Sequence, residues 1–157
     1  DLGIRGGWLR ESNLRATQLG RFEQVVLAAP SYLKKYGTPQ RPEDLAAHRW
    51  IALTILRTPY TWTFTPKRGK PRTVRMSAAT SANGTVALRA FLREGVGVSV
   101  LPDYMIEADV KAGRLVPLLQ GWALPVAGVH AVYPNMRFTS AKVRAFVDFF
   151  RDYLAKR

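Results

Sequence analysis

The chain has 157 residues and is strongly basic, with 24 Lys plus Arg against 11 Asp plus Glu. Apolar residues make up 47% of it, which is enough to build a core and excludes a disordered tail. The chain has no cysteine, which excludes a disulfide framework and a thiolate metal site and fits a reducing compartment. No apolar stretch approaches the roughly 20 residues that a membrane-spanning helix needs.

The sequence starts without an initiator Met and without a signal-peptide pattern. We therefore expect the chain to be a fragment from the middle of a longer protein, and an open reading frame that begins at Asp1 would contradict this. Its length suits one ordinary domain or two small lobes.

Short strands and short helices alternate in the first half of the predicted structure. The run from Val25 to Ala29 is continuously apolar and ends at Pro30, as expected for a strand buried on both faces. Residues 61–65 alternate with period two, which predicts a half-buried strand. Strands are predicted over 2–5, 25–29, 50–53, 61–65 and 74–78. A short helix is predicted to start at Pro30 or Ser31 and to end just before Gly37, and a helical turn is predicted over 42–46.

The second half continues this alternation. Leu88, Phe91 and Leu92 have helical spacing, and Gly95 ends the helix that they predict. Strands or extended segments are predicted over 96–101, 115–119 and 126–133, and a helix over 103–112. A last helix, capped by Thr139 or Ser140, carries an apolar stripe of Val143, Phe146, Val147, Phe150 and Leu154. This order predicts an α/β layer fold with a mainly parallel sheet.

The densest basic group is a short run that contains two turn-forming residues. It comprises Lys67, Arg68, Lys70, Arg72 and Arg75, which surround Gly69 and Pro71. Such a run predicts a solvated hairpin tip, although a basic balance also raises the odds of an anionic partner. We find no helix-turn-helix, zinc finger or other DNA-reading module. A nucleic-acid-binding module that uses this hairpin is therefore a further alternative.

Patterns that would indicate catalysis are incomplete. The sequence around Ser99 lacks the second glycine of a nucleophile elbow, which favours an ordinary strand residue. Gly95 and Gly97 follow a helix, whereas a dinucleotide-binding loop lies between a strand and a helix. His48 and His130 stand without partners at metal-ligand spacing. The sequence predicts no catalytic residue, metal site or cofactor, so an enzyme is the least supported class.

One loop has the features of an anion-binding site. Residues 81–85 follow a predicted strand and open a predicted helix. The first backbone N–H groups of a helix lack intrahelical partners and lie at the positive end of its dipole, so such a loop can hold a carboxylate or a phosphate. The alternative is a plain helix cap formed by Ser81 or Asn83.

Short segments along the whole chain fall in a specific order and spacing. They are residues 1–5, 19–20, 28–33, 42–45, 83–84, 87–88, 95–102, 113–117, 130–134 and 143–149. Together they resemble the effector-binding domain of LysR-type transcriptional regulators.

The resemblance implies a type II periplasmic-binding-protein-like fold, in which two α/β lobes are joined by two crossover strands and the effector binds between the lobes. The crossovers would lie near 25–29 and 129–133. Lobe one would be partial and comprise 1–29 and 129–157, and lobe two would be complete and comprise 30–128.

Members of the family also carry an N-terminal winged helix-turn-helix, a linker helix and a first βαβα portion of lobe one, and none of these matches a segment of this chain. By resemblance, DNA binding would belong to that missing part only. The parent protein would be a cytoplasmic homo-oligomer, a dimer or a tetramer, with a small-molecule effector and no membrane partner. We expect the fragment to self-associate, because the missing portion would cover part of lobe one.

Two groups of residues are the candidates for effector contacts. They are Ser81, Asn83 and Thr85 at the helix start, with Thr80 and Pro102 beside them, and Arg5, Gly7 and Trp8 after the first strand. Arg5 could pair with an effector carboxylate through both guanidinium arms, or be a surface charge. Trp62 and Phe64 are expected in the core. The chief alternative is the solute-binding domain of a transport-type protein on the same fold.

Overall fold

The computed structural model describes residues 2–8, 13–135 and 140–155. The chain divides into two compact units, one formed by Asp1–Phe22 with Val126–Arg157 and the other by Glu23–Pro125. The chain passes from one unit to the other at 22–23 and at 125–126. Both passages lie a few residues before the segments predicted as crossovers. No described helix is long and apolar enough to cross a membrane.

Eleven strands and four α-helices are found among the described residues. The strands are β1 (Gly3–Gly7), β2 (Leu14–Phe22), β3 (Gln24–Ala28), β4 (Trp50–Leu53), β5 (Thr61–Pro66), β6 (Arg72–Arg75), β7 (Ala78–Ala82), β8 (Ser99–Pro102), β9 (Val116–Leu118), β10 (Trp122–Ala123) and β11 (Ala127–Pro134). The helices are α1 (Pro30–Tyr36), α2 (Thr85–Arg93), α3 (Asp103–Lys111) and α4 (Ala141–Ala155), and a 3-10 helix spans Pro42–Ala47.

The first unit is a three-stranded antiparallel sheet, in the order β1-β11-β2, that carries α4 on one face. Val143, Val147, Phe150 and Leu154 of α4 pack on this face, as the apolar stripe predicted. Phe146 is the exception, because it is 40% exposed. A Cβ atom at Gly20 would lie 3.2 Å from the Leu154 side chain. The small residue therefore lets the helix lie close to β2.

The second unit contains a larger sheet and a smaller one. β3 pairs antiparallel with β8 on one side and β9 on the other, and β4 pairs parallel with β7. A parallel bridge from Trp50 to Val98 joins the two groups into the order β9-β3-β8-β4-β7. The smaller sheet has the order β10-β5-β6 and is antiparallel.

The prediction of a mainly parallel sheet was wrong. Within the described part of the chain, parallel pairing occurs between β4 and β7 and at the Trp50–Val98 bridge. A parallel pair needs a long crossover between its strands, and 24 residues connect Leu53 to Ala78. The other strand pairs in the described part of the chain run antiparallel. β5 and β6 are linked by a hairpin, and most of the others are distant in sequence. The alternation of strands and helices along the chain does not reveal which strands become neighbours.

The core of the second unit lies on both faces of the larger sheet. On one face Leu27, Ile51 and Leu101 pack with α2 and α3. The other face is covered by α1, the 3-10 helix and the smaller sheet, which contribute Tyr32, Leu45, Trp62 and Phe64. Trp62 is 5% exposed and Phe64 is fully buried, which confirms that both belong to the core.

Two strand assignments from the sequence need correction. β2 was not predicted, although it is the longest strand of the first unit. The strand that pairs with β5 was predicted at 74–78, but the observed partner is β6 at Arg72–Arg75. Ala78, the last residue of the predicted strand, is the first residue of β7. A hairpin register depends on the turn that connects the strands, and the turn here comprises 67–71.

A buried carboxylate joins three elements of the second unit. Asp109 of α3 has no exposed surface and accepts hydrogen bonds from Arg89 Nε at 2.5 Å, Arg93 Nε at 2.8 Å and Arg114 Nε at 2.7 Å. Burial raises the pKa of Asp109, but hydrogen bonds from the three arginines outweigh it and lower the pKa to about 2. The carboxylate therefore ties α2 and the segment before β9 to α3.

We expect Asp109→Asn to destabilise the chain at neutral pH by about 3–5 kcal/mol, since breaking a buried ion pair leaves charges uncompensated. The folded pKa of Asp109 lies below its ordinary value of 3.8. The stabilisation is therefore fully present above pH 3.8 and is lost as the pH falls through about 2. Urea unfolding followed by tryptophan fluorescence gives the free energy of unfolding at each pH. The difference in this free energy between wild type and variant should become smaller as the pH falls over this range.

The matched control is Glu107→Gln in the exposed Glu107–Lys111 pair of the same helix. An exposed pair contributes about 0.2–1 kcal/mol, so this variant should unfold almost as the wild type does at neutral pH. If the difference in unfolding free energy between wild type and Asp109→Asn stayed constant down to pH 2, the stabilisation would not depend on the ionised Asp109 carboxylate.

Candidate functional site

The start of α2 is the candidate site of the second unit. Gly84 is the N-cap residue and has extended backbone angles, and no side chain among the described residues caps the helix. The first helical bond runs from the Leu88 N–H to the Gly84 carbonyl, at 3.1 Å. The N–H groups of the first turn therefore have no intrahelical acceptor and lie at the positive end of the helix dipole.

The capping alternative for Ser81 or Asn83 was wrong, and the reason is the length of β7. The Ala82 carbonyl accepts from the Thr54 N–H at 2.9 Å and from its hydroxyl at 3.2 Å. These bonds hold the chain in the sheet through Ala82 and leave Ser81 inside a strand. The cap position then falls on Gly84, which has no side chain to offer.

The predicted residues of the second unit lie in two places. Thr80 and Ser81 are on β7, Asn83 follows the strand, and Thr85 is the first residue of α2. Ser81 and Asn83 are exposed, and Thr80 and Thr85 are half-buried. These four residues therefore bring three hydroxyls and an amide to the end of β7 and the start of α2. Pro102 is buried at the end of β8, so its part in binding stays a prediction without exposed surface to support it.

A shallow pocket of about 410 Å³ in the first unit is a separate candidate site. Its lining contains Gly7 and Trp8, both predicted, together with Gln18, Arg21, Val126, Ala127, Gly128 and His130. The Trp8 indole N–H donates to the Val126 carbonyl at 3.1 Å, which fixes the ring beside the start of β11. Gly7 has a φ of 110°, which is a conformation that favours glycine.

The register of the sheet explains why these side chains meet. Arg5 of β1 and Gln18 of β2 both lie opposite His130 of β11. Directly opposed residues on neighbouring strands point to the same face. Arg5 is exposed and does not line the pocket, so an effector contact by Arg5 stays a prediction.

His130 is the residue that most distinguishes this pocket. A Cβ atom at Gly128 would overlap the His130 ring, so the ring lies against the glycine. Its Nδ1 atom is buried and has no hydrogen-bond partner among the residues that the structure describes. An unsatisfied buried polar atom costs about 1–3 kcal/mol. The ring is therefore held by its packing against Gly128 and not by a hydrogen bond at Nδ1.

Sequence reasoning missed Gln18, Arg21 and His130. The first two are on β2, which was not predicted, and His130 was judged by its sequence neighbours alone. The alternation of β11 assigns His130 to one face of that strand, but only the register with β1 places it opposite Arg5. Arg21 adds a cation to a pocket lining that contains no acidic residue, so the pocket suits an anion.

The serine and histidine that the sequence offered as catalytic candidates, Ser99 and His48, have structural partners. Ser99 is a buried strand residue whose hydroxyl donates to the Ile51 carbonyl at 2.7 Å, as expected for an ordinary strand position. His48 Nδ1 lies 3.1 Å from the Tyr32 hydroxyl, and burial lowers the pKa of His48. The described residues contain no cluster of three side chains that could hold a metal ion.

We expect Gly128→Ala to turn the His130 ring away from its place in the pocket lining. The cost should be about 1 kcal/mol, because a side chain can leave its preferred rotamer where a backbone could not move. The ¹H–¹³C signals of the two histidine rings report this directly. The His130 signal should shift and the His48 signal should stay, and an unchanged His130 signal would contradict the assigned contact.

Comparison with known proteins identifies the family. The LysR substrate-binding domain model matches residues 1–155. The chain belongs to this family. The regulator PtxR of Pseudomonas aeruginosa is 42% identical over 156 residues, which cover 99% of this chain and 50% of the relative. The regulator CrgA of Neisseria meningitidis is 32% identical over 155 residues, or 98% of this chain and 51% of the relative. The chain thus spans about half the length of these curated relatives.

Solved structures agree with this membership. The regulatory domain of CrgA from Neisseria meningitidis aligns with a TM-score of 0.80 at 32% identity, over 98% of this chain and 75% of that one. The full-length virulence activator AphB of Vibrio cholerae aligns with a TM-score of 0.81 at 26% identity, over 98% of this chain and 52% of that one. The chain therefore has the type II periplasmic-binding-protein-like α/β fold that the resemblance implied.

Proposed function

We propose that the chain is the effector-sensing domain of a LysR-type transcription factor and binds a small organic anion. The observation that carries the proposal is the family match over residues 1–155. The named relatives are transcriptional regulators, so the proposed activity is binding and not catalysis, without a cofactor or a metal ion.

The anionic character of the effector is inferred from two features. The uncapped start of α2 offers backbone N–H donors and a positive dipole end, and its first turn has no acidic residue. Arg21 brings a cation to the first-unit pocket, whose lining contains no acidic residue. A carboxylate matches both features, because it accepts several hydrogen bonds and carries a negative charge.

Each set of residues has a proposed role. In the second unit, Thr85 and Ser81 would donate hydroxyl hydrogen bonds beside the α2 N–H groups, with Asn83 and Thr80 adjacent. In the first unit, Trp8 would supply an apolar wall and Gly7 would let the ligand approach the backbone. Gln18, Arg21 and His130 would add polar contacts that the sequence did not predict.

The effector would act through differential affinity. A ligand shifts a conformational equilibrium only by as much as it binds one state better than the other. We propose that the shifted equilibrium controls DNA binding by an N-terminal winged helix-turn-helix in a cytoplasmic homo-oligomer. The lobe assignment of 1–29 with 129–157 and of 30–128 is part of the same proposal.

The basic hairpin does not change this assignment. Its five cations are exposed, and Arg72 pairs with Glu43 at 2.7 Å. The hairpin belongs to a small antiparallel sheet whose other side packs in the core. It therefore resembles a solvated tip more than a module that reads bases.

A thermal-shift screen of small carboxylates tests the proposal, on this chain and on the full-length gene product that contains it. A ligand at about 100 times its Kd should stabilise the folded state by about 2.7 kcal/mol. Thr85→Val keeps the side-chain shape and removes the hydroxyl. Losing a hydrogen bond to a charged ligand should weaken binding about ten- to a hundredfold.

The matched control is Thr73→Val on β6, whose hydroxyl bonds Thr63 at the opposite strand. This variant should bind the carboxylate as the wild type does. Absence of any stabilising carboxylate in both proteins would overturn the anionic effector, and equal thermal shifts in Thr85→Val and wild type would overturn the α2 assignment.

A further inference from the structure

A second depression in the second unit lies outside the candidate effector residues. It is an open depression of about 570 Å³ and is lined by Ala29, Pro30, Ser31, Arg93, Glu94 and Arg114. None of the proposed effector contacts lines it. Its two arginines are also partners of the buried Asp109. The depression therefore has a charged floor that is held in place from inside the protein.

Asp109 orients both guanidinium groups of this lining. Arg93 contacts the Asp109 carboxylate through Nε and one Nη atom. Arg114 donates from Nε to Asp109 and from one Nη atom to the Ala108 carbonyl. The other Nη atom of each arginine has no acceptor within the described ranges. Arg93 is 37% exposed and Arg114 is 46% exposed, whereas Asp109 is fully buried. Arg93 and Arg114 are thus held in place by Asp109, are partly exposed, and each keep one Nη group as a hydrogen-bond donor.

The charge of the cluster is not balanced by the protein. Asp109 faces three guanidinium groups, from Arg89, Arg93 and Arg114, which leaves two positive charges uncompensated. Glu94 at the edge of the depression offsets one of them. The pKa of Asp109 is lowered to about 2 by these arginines, so the carboxylate stays ionised and the surplus is constant at neutral pH. Guanidinium groups held close to one another repel, and an added anion would relieve this repulsion.

Ser31 completes the set of donors. Its hydroxyl makes no hydrogen bond to any described residue. A Cβ atom at Gly95 would lie 2.7 Å from this hydroxyl oxygen, and Gly95 has a φ of 68°. Both facts favour glycine at this position. The absence of a side chain there keeps the Ser31 hydroxyl accessible beside the two arginines.

We propose that this depression binds a small oxyanion, a phosphate or carboxylate group, between the free guanidinium arms of Arg93 and Arg114 and the Ser31 hydroxyl. Two planar guanidinium groups in fixed positions match the geometry of such oxyanions. Glu94 can accept a hydrogen bond from a hydroxyl group carried by the same ligand. This site is separate from the proposed effector contacts and does not rest on them.

Titration of this chain with inorganic phosphate or with citrate at constant ionic strength tests the proposal, with amide chemical shifts as the readout. Arg93→Gln removes one arm while Asp109 keeps Arg89 and Arg114. It should weaken binding about tenfold. Glu94→Gln removes a repulsive charge and should tighten binding about threefold. The preferred probe of the two distinguishes a phosphate from a carboxylate ligand.

Arg72→Gln and Glu43→Gln are the matched controls, because they make the same two charge changes in an ion pair that does not line the depression. Both should bind the probes within about twofold of wild type. Thermal unfolding of each variant shows whether it is folded, and the gain in affinity of Glu94→Gln cannot arise from unfolding. No saturable binding at tens of millimolar probe, or equal effects in the control pair, would overturn the proposal.

Discussion

The ion cluster around Asp109 is the interaction on which the second unit depends most. A carboxylate without any exposed surface is stable only because three guanidinium groups replace its water. Its partners come from α2 and from the turn that leads to β9, so one side chain fixes the positions of two helices and a strand start. The cost of burying this charge is offset only while all of these elements keep their places. The cluster therefore specifies one arrangement of α2 as well as stabilising it.

The position of α2 in turn determines what the candidate effector residues can do. β7 continues through Ala82 because Thr54 holds the Ala82 carbonyl, and the helix then starts at Thr85 after a glycine cap. A serine or asparagine cap would have satisfied the helix N–H groups internally. A glycine cap leaves these donors available, and the hydroxyl-bearing residues Ser81 and Thr85 lie on either side of it in the chain. The same backbone arrangement that contradicts the capping prediction strengthens the case for a ligand at this place.

Local patterns predicted much of the fold, and long-range pairing was the part that they could not predict. The bounds of β4 and α1 and the core positions of Trp62 and Phe64 followed from periodicity and from stop residues. β2 did not, because Leu14 to Phe22 contains polar and apolar residues without regular alternation, and antiparallel pairing to β11 defines it as a strand. The members of the first-unit pocket come together only through that register. His130 was therefore missed, since its partners are more than 100 residues away in sequence.

The proposed effector contacts of the second unit and the proposed oxyanion depression both include residues of α2. α2 has nine residues and is about 13 Å long, with Thr85 at one end and Arg93 at the other. An anion at the first end would bind the helix N-terminus, and an anion at the other would bind the arginine that Asp109 holds. Coupling between two sites requires an element that has two arrangements and responds to both ligands. The Asp109 cluster holds α2 in one arrangement, so the two anions would bind this helix without coupling between their affinities.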